Sequence, residues 1–235
     1  MEKNPLSKVL VIPDTQEPFS HQDFLPFVRW VAQREIPDVI VHLGDEVDHH
    51  ALSNFDADPD GFSAGHELKE AVRKMKGWYR SFPEVYVCVS NHGTRPYKRA
   101  FRAGIPSAFL RSYSETLEAP SGWKWADRWE FDGVVYEHGE GCSGQLGAIR
   151  AAQANMQSTV IGHLHAHAGI LYTSNGRKQI FGFNVGCGID KDAYAFAYGR
   201  ILKAKPVLGC GIVDRGVPRF IPMPLDERGR WRRPR

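Results

Sequence analysis

Residues 39–50, VIVHLGDEVDHH, begin with an apolar run and end in acidic and imidazole side chains. The apolar run predicts a buried strand, and Gly44 marks the point at which the backbone turns out of the sheet. Asp45 therefore lies at the carboxyl end of a strand, where open α/β sheets place their binding sites. Three more side chains that can bind metal follow it: Asp48, His49 and His50. We interpret the stretch as a metal site in which Asp45 bridges two cations; the alternative is that Asp45 caps a helix.

The composition of the whole chain limits the classes of protein to which it can belong. With 235 residues the chain is long enough for one large domain with its own core. Its net charge of +3 does not by itself indicate nucleic-acid binding. No apolar run is long enough for a signal peptide or a membrane span, and the four scattered cysteines, without a CxxC pair, fit a reducing compartment. We therefore expect a cytoplasmic protein with no membrane partner.

The order of the predicted elements indicates a parallel sheet. A β-branched strand at Lys8–Ile12 is followed by helical spacing over Phe24–Glu35 and then by the strand that begins at Val39. This β-loop-α-β order is typical of parallel sheets. Ser20 and Asp23 resemble a capping box at the start of the helix.

The later sequence predicts another helix and a second sheet. Residues 105–117 have a helical pattern, and the strands after residue 168 alternate with turns, which indicates a largely antiparallel second sheet. Residues 56–67 match the spacing of an EF-hand calcium loop. Because Pro59 stiffens this loop and no helix clearly precedes it, we interpret it as a solvated acidic loop. The arginine-rich end, residues 228–235, has no apolar pattern and is expected to be flexible.

Five predicted strands end in side chains that can bind a metal. These are Asp14 and Gln16, Asp45 and Asp48, Asn91 and His92, His138, and His163 and His165. A single histidine is more often a structural residue than a ligand, but five strand ends of the same kind indicate a shared site. Imidazoles with carboxylates suit Mn, Fe, Zn or Ni better than Ca or Mg alone. The one-residue gap between His163 and His165 puts both rings on one side of an extended chain, so they can reach two neighbouring ions.

The order D-x-Q, GDxxD, NH, HG and GHxH, over residues 8–190, resembles that of the calcineurin-like metallophosphoesterase superfamily. The compact chain and the D-x-Q variant resemble phage-encoded members. The resemblance implies an α/β fold with two packed mixed β-sheets flanked by helices, a four-layer α/β/β/α sandwich. It also implies one metallophosphoesterase domain over residues 1–225, followed by a basic, flexible tail at residues 226–235.

The resemblance further implies the ligands of two divalent cations, with Mn preferred and Fe, Zn, Ni or Mg as alternatives. One cation would take Asp14, Gln16, Asp45 and His165. The other would take Asp45, Asn91, His138 and His163. Two catalytic residues are implied beside them, His92 at the leaving group and Asp48 orienting it. The implied reaction is hydrolysis of a phosphate ester by a hydroxide that bridges the cations.

Three positions depart from the family pattern. Gln16 replaces a histidine, His49 stands where many members have arginine, and Gly93 replaces an acidic residue. A carboxamide oxygen is a weaker ligand than an imidazole nitrogen, so Gln16 implies a looser first cation or a place outside its direct ligands. The other two departures concern the substrate rather than the metals.

The basic run after the NH block suggests the class of substrate. We predict substrate-binding roles for Arg95, Lys98 and His49. Together with the arginine-rich end, these residues favour a phosphodiester, nucleotide or nucleic acid as the substrate. The alternatives are an ordinary solvated basic surface, a phosphomonoesterase, and a binding scaffold of the same fold that has lost catalysis. The retained ligands and His92 favour an enzyme over a scaffold.

Overall fold

The computed structural model of the chain describes residues 7–53, 61–192 and 205–234. Within these ranges eleven strands form two sheets. The strands are β1 (Lys8–Ile12), β2 (Val39–His42), β3 (Val85–Cys88), β4 (Trp123–Ala126), β5 (Arg128–Phe131), β6 (Val134–Glu137), β7 (Ser158–Ile161), β8 (Ala168–Ser174), β9 (Gln179–Val185), β10 (Gly209–Asp214) and β11 (Val217–Pro222). The α-helices are α1 (Phe24–Glu35), α2 (Ala64–Ser81), α3 (Arg95–Arg102), α4 (Tyr113–Thr116) and α5 (Gly147–Asn155). Short 3-10 helices occupy His50–Leu52 and Ser107–Phe109.

The first sheet has the strand order β11-β10-β1-β2-β3-β4. Strands β1 to β4 are parallel, which confirms the sheet type that the β-loop-α-β order predicts. The second sheet has the order β5-β6-β7-β9-β8, with β6, β7 and β9 parallel and the two edge strands antiparallel. The prediction that all the late strands form one separate sheet is wrong. Strands β10 and β11 extend the first sheet, because buried β10 pairs antiparallel with β1, Val213 opposite Val9.

Successive side chains of β1 point to opposite faces of the first sheet, and this alternation shows how the two sheets pack. Leu10 and Ile12 belong to a core shared with helices α1 and α2, whereas Val9 and Val11 belong to a core shared with the second sheet. Helix α5 covers the other side of the second sheet, where Ala151 packs beside β7. The layers are therefore helix, sheet, sheet and helix, which confirms the fold class that the resemblance implies.

The prediction of one helix over residues 105–117 is wrong. Of this range only Tyr113–Thr116 is α-helical. Pro106 disfavours helical backbone in the residue before it, so the helical pattern cannot continue through it. A new helix begins after Ser112, where the hydroxyl and the Glu115 carboxylate form a capping box with the backbone.

The predicted capping box at the start of α1 is also wrong. Asp23 occupies the N-cap position, but its carboxylate accepts hydrogen bonds from Arg230 Nε and Nη2 at 2.7 and 2.6 Å and from the Trp231 N–H at 3.0 Å. The Trp231 ring packs edge-on against Phe27 and Trp30, with centroids 5.6 and 5.7 Å apart. The chain end is thus docked on α1 as far as Trp231, which differs from the expected flexible tail. Arg230 and Trp231 provide this anchor, and periodicity cannot reveal it. The domain boundary after residue 225 stays a prediction.

Two further expectations concern segments away from the sheets. Of the acidic loop, Asp56, Asp58 and Asp60 lie outside the described residues, whereas Glu67 is buried in the first turn of α2. Among the described residues, none of the helices combines the length and the apolar character that a membrane span requires.

Candidate metal centre

The carboxyl ends of parallel strands from both sheets meet at one edge of the sandwich. The side chains that follow these ends include Asp14, Asp45, Asn91, His138 and His163. Gly44, with φ of +93°, allows the turn out of β2, because a Cβ there would lie only 2.6 Å from the Cys88 carbonyl oxygen. Asp45 is also left-handed, with φ of 50°, and its N–H donates to Ser90 Oγ at 2.8 Å. These local contacts point the Asp45 carboxylate between the two sheets.

Asp14, Asp45 and His165 form the first cluster, in which one potential ligand atom of each residue lies within 4.8 Å of the others. His165 Nε2 is 2.8 Å from Asp14 Oδ2. The Gln16 carboxamide stands beside this cluster, with Nε2 3.4 Å from His165 Nε2 and 3.5 Å from Asp45 Oδ2. The structure thus places Gln16 close enough to act with the cluster, and its role as a ligand stays a prediction.

Asp45, His138 and His163 form the second cluster, again within 4.8 Å. His138 Nε2 is 2.6 Å from Asn91 Oδ1, 3.2 Å from His163 Nδ1 and 3.4 Å from Asp45 Oδ2. His138 Nδ1 donates to the Leu43 carbonyl oxygen at 2.9 Å. That hydrogen bond fixes the ring so that Nε2 points into the centre, the usual support of a metal-binding histidine.

His92 lies beside both clusters and is held by two charged neighbours. Its Nδ1 is 2.8 Å from Asp48 Oδ1, and its Nε2 is 2.8 Å from Arg95 Nη2. Arg95 Nη1 also donates to Asp48, to the carbonyl oxygen at 2.8 Å and to Oδ1 at 3.1 Å. The N–H of His92 donates to Asp45 Oδ1 at 3.0 Å. The predicted catalytic pair and Arg95 therefore form one network with Asp45.

Burial and opposite charges together set the pKa values in the centre. Burial alone would raise the pKa of Asp45, but His138 and His92 outweigh it and hold that pKa well below its usual range. Burial would lower the pKa of His138, yet Asp45 and Asp14 raise it to about 10. Burial also opposes the charged form of His92, and Asp45 and Asp48 nevertheless raise its pKa. The carboxylates of the centre thus strongly favour positive charge beside them.

The residues present fit a pair of divalent cations. Asp45 is shared by both clusters, and its two oxygens can contact two ions. Gln16 Oε1 is buried and has no hydrogen-bond partner in the described part of the chain. His138 Nε2 faces an oxygen of Asn91, an oxygen of Asp45 and a nitrogen of His163, more neighbours than one N–H can serve. Carboxylate, imidazole and carboxamide donors are those that Mn, Fe or Zn accept.

Lys98 and His49, predicted to bind substrate, are not members of either cluster. Lys98 is exposed on α3 and pairs with Glu140 at 3.4 Å. His49 is buried, with 5% of its surface accessible, and its ring centroid is 6.2 Å from that of Tyr113. Burial lowers the pKa of His49 to about 4. The substrate-binding roles stay predictions, and of the three candidates Arg95 is the one in contact with His92.

Ser90 is a residue of the centre that the sequence analysis missed. Its Oγ accepts hydrogen bonds from the N–H groups of Asp45 and Gly93, at 2.8 and 3.3 Å. The available signal was a hydroxyl directly before the NH block. The departure at Gly93 also has a local cause, because a Cβ there would lie 3.1 Å from the Tyr113 hydroxyl and 3.2 Å from Ser90 Oγ.

Comparison with solved structures finds several similar chains. Vps29 from Chaetomium thermophilum is 12% identical with a TM-score of 0.49, covering 97% of this chain and 94% of that chain. Vacuolar protein sorting 29 from Cryptosporidium parvum is 11% identical with a TM-score of 0.42, covering 92% and 97%. A single mutant of Vps29 from Entamoeba histolytica is 14% identical with a TM-score of 0.40, covering 91% and 97%. Comparison with curated protein sequences finds no match.

Comparison with protein families finds the model described as calcineurin-like phosphoesterase, which matches residues 7–176. The matched range is well over half of the 235-residue chain and contains every residue of the two clusters. This match confirms the resemblance that we inferred from the sequence motifs. The chain belongs to the calcineurin-like phosphoesterase family.

Proposed function

We propose that the chain is a phosphoesterase that uses two divalent cations to hydrolyse phosphate esters. The observation that carries this proposal is the position of Asp45. Its carboxylate belongs to both clusters of potential ligands, and its Oδ1 accepts the N–H of His92 at 3.0 Å. One side chain therefore links two cation positions to the residue expected beside the leaving group. Membership of the family supports hydrolysis as the type of reaction.

The two clusters, together with Gln16 and Asn91 beside them, supply the residues that would hold the cations. Those for one are Asp14, Gln16, Asp45 and His165; those for the other are Asp45, Asn91, His138 and His163. When bound, the cations supply Lewis acidity, which makes water a stronger acid and offsets the charge that develops on the phosphoryl oxygens. We take Mn as the preferred cation, with Fe, Zn, Ni or Mg as alternatives.

In the proposed reaction His92 donates a proton to the leaving oxygen or stabilises its charge. The Asp48 carboxylate, 2.8 Å from Nδ1, would stabilise the protonated ring. Nε2 lies 3.7 Å from Asp45 Oδ2, so the proton donor stands at the edge of the cation positions. A positioned acid of this kind contributes about a hundredfold or more to rate.

Arg95 would hold the substrate and release His92. A guanidinium only donates hydrogen bonds, so the 2.8 Å contact of Arg95 Nη2 requires a free lone pair on His92 Nε2. A phosphate ester offers the planar guanidinium paired oxygen acceptors, which it binds strongly. When Arg95 turns to the substrate, His92 Nε2 would take up a proton from solvent, which the carboxylates of Asp45 and Asp48 favour, and would pass it to the leaving oxygen.

The favoured substrate is a phosphodiester, such as a nucleotide or nucleic acid. Lys98 and its neighbours on α3 continue the positive surface beyond Arg95, which suits a substrate with more than one phosphate. A phosphomonoester would use the same centre, and a catalytically silent scaffold would keep the fold without turnover. Hydrolysis of nitrophenyl mono- and diesters by the purified chain separates these three functions.

The experiment compares ester hydrolysis with added Mn, with excess chelator, and in two variants. We expect turnover that depends on Mn, with the diester preferred, and loss of turnover in Asp45→Asn because one residue serves both cations. Asp214→Asn is the matched control, since this carboxylate pairs with Lys8 at 3.5 Å, at the opposite end of β1 from Asp14. Full turnover in chelator, with metal shown to be absent, would contradict the proposal.

A further inference from the structure

Residues 95–111, which we call the basic aromatic segment, carry a dense run of positive charge. It consists of α3, the 3-10 helix Ser107–Phe109 and the residues around them. Its five basic residues are Arg95, Lys98, Arg99, Arg102 and Arg111, and it contains no acidic residue. The segment contributes +5 to a chain whose net charge is +3, so the rest of the chain sums to −2. The sequence directly after Asn91 and His92 is therefore strongly positive.

Contacts fix the inner end of the basic aromatic segment to the metal centre. Arg95 donates to Asp48, and Arg99 Nε donates to the Leu52 carbonyl oxygen at 3.1 Å. The Tyr97 hydroxyl donates to the Arg111 carbonyl oxygen at 3.0 Å, which holds the two ends of the segment together. The segment is therefore fixed at its inner end to the residues that follow Asp45.

The outer part of the segment exposes large apolar side chains to solvent. Every residue from 101 to 109 is exposed. Phe101 has 84% of its surface accessible, Phe109 has 80%, and Ile105 has 44%. Ala100 is the one residue of α3 that is buried. Clustered exposed apolar side chains within a polar surface mark interaction sites.

We propose that the basic aromatic segment binds single-stranded nucleic acid and leads it to the metal centre. Basic side chains attract the phosphates, and exposed phenyl faces stack with unpaired bases. A duplex would use the charges but not Phe101 and Phe109, because its bases are stacked on one another. The proposal rests on the proposed function only for the cleavage of the bound strand, whereas binding itself needs no turnover.

Continuity with the metal centre favours nucleic acid over an anionic membrane. Both partners would engage cations and apolar side chains. Membrane-surface helices, however, have a long apolar face opposite a polar one, whereas α3 has eight residues and is followed by Gly104 and Pro106. The segment also begins at Arg95, which touches His92, so a strand lying on it would reach the predicted proton donor.

The test is fluorescence anisotropy of a labelled oligothymidylate of about 20 nucleotides, long enough to span an aromatic binding surface. We expect the intact chain to bind it at low salt and to lose affinity as salt rises from about 50 to 200 mM. The double variant Phe101→Ala, Phe109→Ala should bind about thirtyfold or more weakly, because each ring removed takes away one stacking surface for a base. Arg102→Gln should reduce the slope of log affinity against log salt by about one.

Tyr172→Ala is the matched control, since this aromatic residue is 53% exposed on β8 of the other sheet. We expect its affinity to equal that of the unaltered chain. Equal affinity in the double phenylalanine variant, equal affinity for a duplex of the same length, or no binding at low salt would each overturn the proposal. Stronger binding to phosphatidylserine vesicles than to the oligonucleotide would also overturn it, in favour of a membrane.

Nitrophenyl ester hydrolysis separates this proposal from the proposed function. The double phenylalanine variant should hydrolyse small esters at the rate of the unaltered chain. Ester turnover without oligonucleotide binding would leave the phosphoesterase standing and overturn the nucleic-acid surface. Oligonucleotide binding that depends on the two phenylalanines, without ester turnover, would support the surface and contradict the phosphoesterase.

Discussion

Gln16 is the residue at which this chain departs most from its family. Its Oε1 is buried without a hydrogen-bond partner among the described residues, and its Nε2 lies 3.5 Å from Asp45 Oδ2 in the first cluster. An imidazole nitrogen is softer than a carboxamide oxygen and binds late transition metals more tightly. We therefore expect Gln16→His to tighten one of two classes of site and to shift its preference from Mn toward Zn or Ni. Calorimetric titration of the metal-free chain with each ion measures both effects.

Gln33→His is the control for this change, since it adds the same ring to the exposed face of α1. It should leave both classes of site unaltered. If Gln16→His changes neither affinity nor preference, Gln16 does not bind the cation directly, and its assignment as a ligand is wrong.

His92 is the residue whose substitution should lower the rate by an amount that depends most on the substrate. We expect His92→Ala to retain its cations and to lose rate by roughly a hundredfold or more, the usual contribution of acid–base groups. The loss should be smaller for esters with very good leaving groups, because these need no proton. Rates on a series of nitrophenyl and alkyl esters, with metal content measured in parallel, test this. Equal losses across the series would indicate misfolding or a different role for His92.

At the scale of the element, Glu67 attaches helix α2 to the loop that carries Asp48. Its buried carboxylate accepts the N–H groups of His50 and Ala51 at 2.6 and 2.9 Å. In Glu67→Gln the amide nitrogen would face one of these donors and leave it unsatisfied. We expect a loss of about 2 kcal/mol in the free energy of unfolding, measured with urea, and weaker Mn binding.

Glu70→Gln is the control on the same helix. Glu70 pairs with Arg73, which is 66% exposed, so the change should stay within about 0.5 kcal/mol. A similar loss in both variants would mean that the bonds from Glu67 to the loop do not stabilise the fold.

The helices and strands also show how much of a structure of this kind can be predicted from its sequence. The strand before Asp45 and the helix Phe24–Glu35 were predictable because periodicity and glycine act locally. The order of motifs gave the candidate ligands, but the contact of Arg95 with His92 depends on how α3 leaves its loop. Periodicity also could not show that β10 pairs with β1, because a buried strand does not specify its partner.

At the scale of the whole molecule, Asp23 ties the two ends of the described chain together. Its carboxylate looks like a helix cap in the sequence, but it binds Arg230, 207 residues away. The Arg230 guanidinium holds the pKa of Asp23 below its ordinary value of 3.8. A carboxyl group whose pKa is lowered by folding stabilises the fold fully when the pH is above the pKa of the unfolded state. This contribution is lost as the pH falls through the pKa of the folded state.

We therefore expect Asp23→Asn to lower the melting temperature at neutral pH and to approach the unaltered chain as the pH falls below the lowered pKa of Asp23. Arg230→Gln should behave in the same way, and the double variant should lose no more than either single one. Thermal unfolding at neutral and acidic pH measures this. A constant difference at all pH values would show that the ion pair is not the cause.

The docking of Trp231 also changes what truncation of the arginine-rich end would do. Removal of residues 228–235 takes away a ring that packs against Phe27 and Trp30, in addition to the arginines. Loss of nucleic-acid affinity after such a truncation would therefore mix charge with destabilisation of the fold. Substitution of exposed arginines one at a time separates these effects.

Four non-glycine residues in or beside the centre have left-handed backbone: Gln16, Asp45, His49 and His163, with φ between 46° and 64°. Such conformations cost about 1 kcal/mol or more each and persist only where the surrounding structure enforces them. Part of the entropy of arranging the backbone of these residues is therefore lost when the chain folds. The contacts that stabilise the fold would then also determine how tightly the cations bind, so a variant that loosens one of these turns should bind metal more weakly although every ligand is still present.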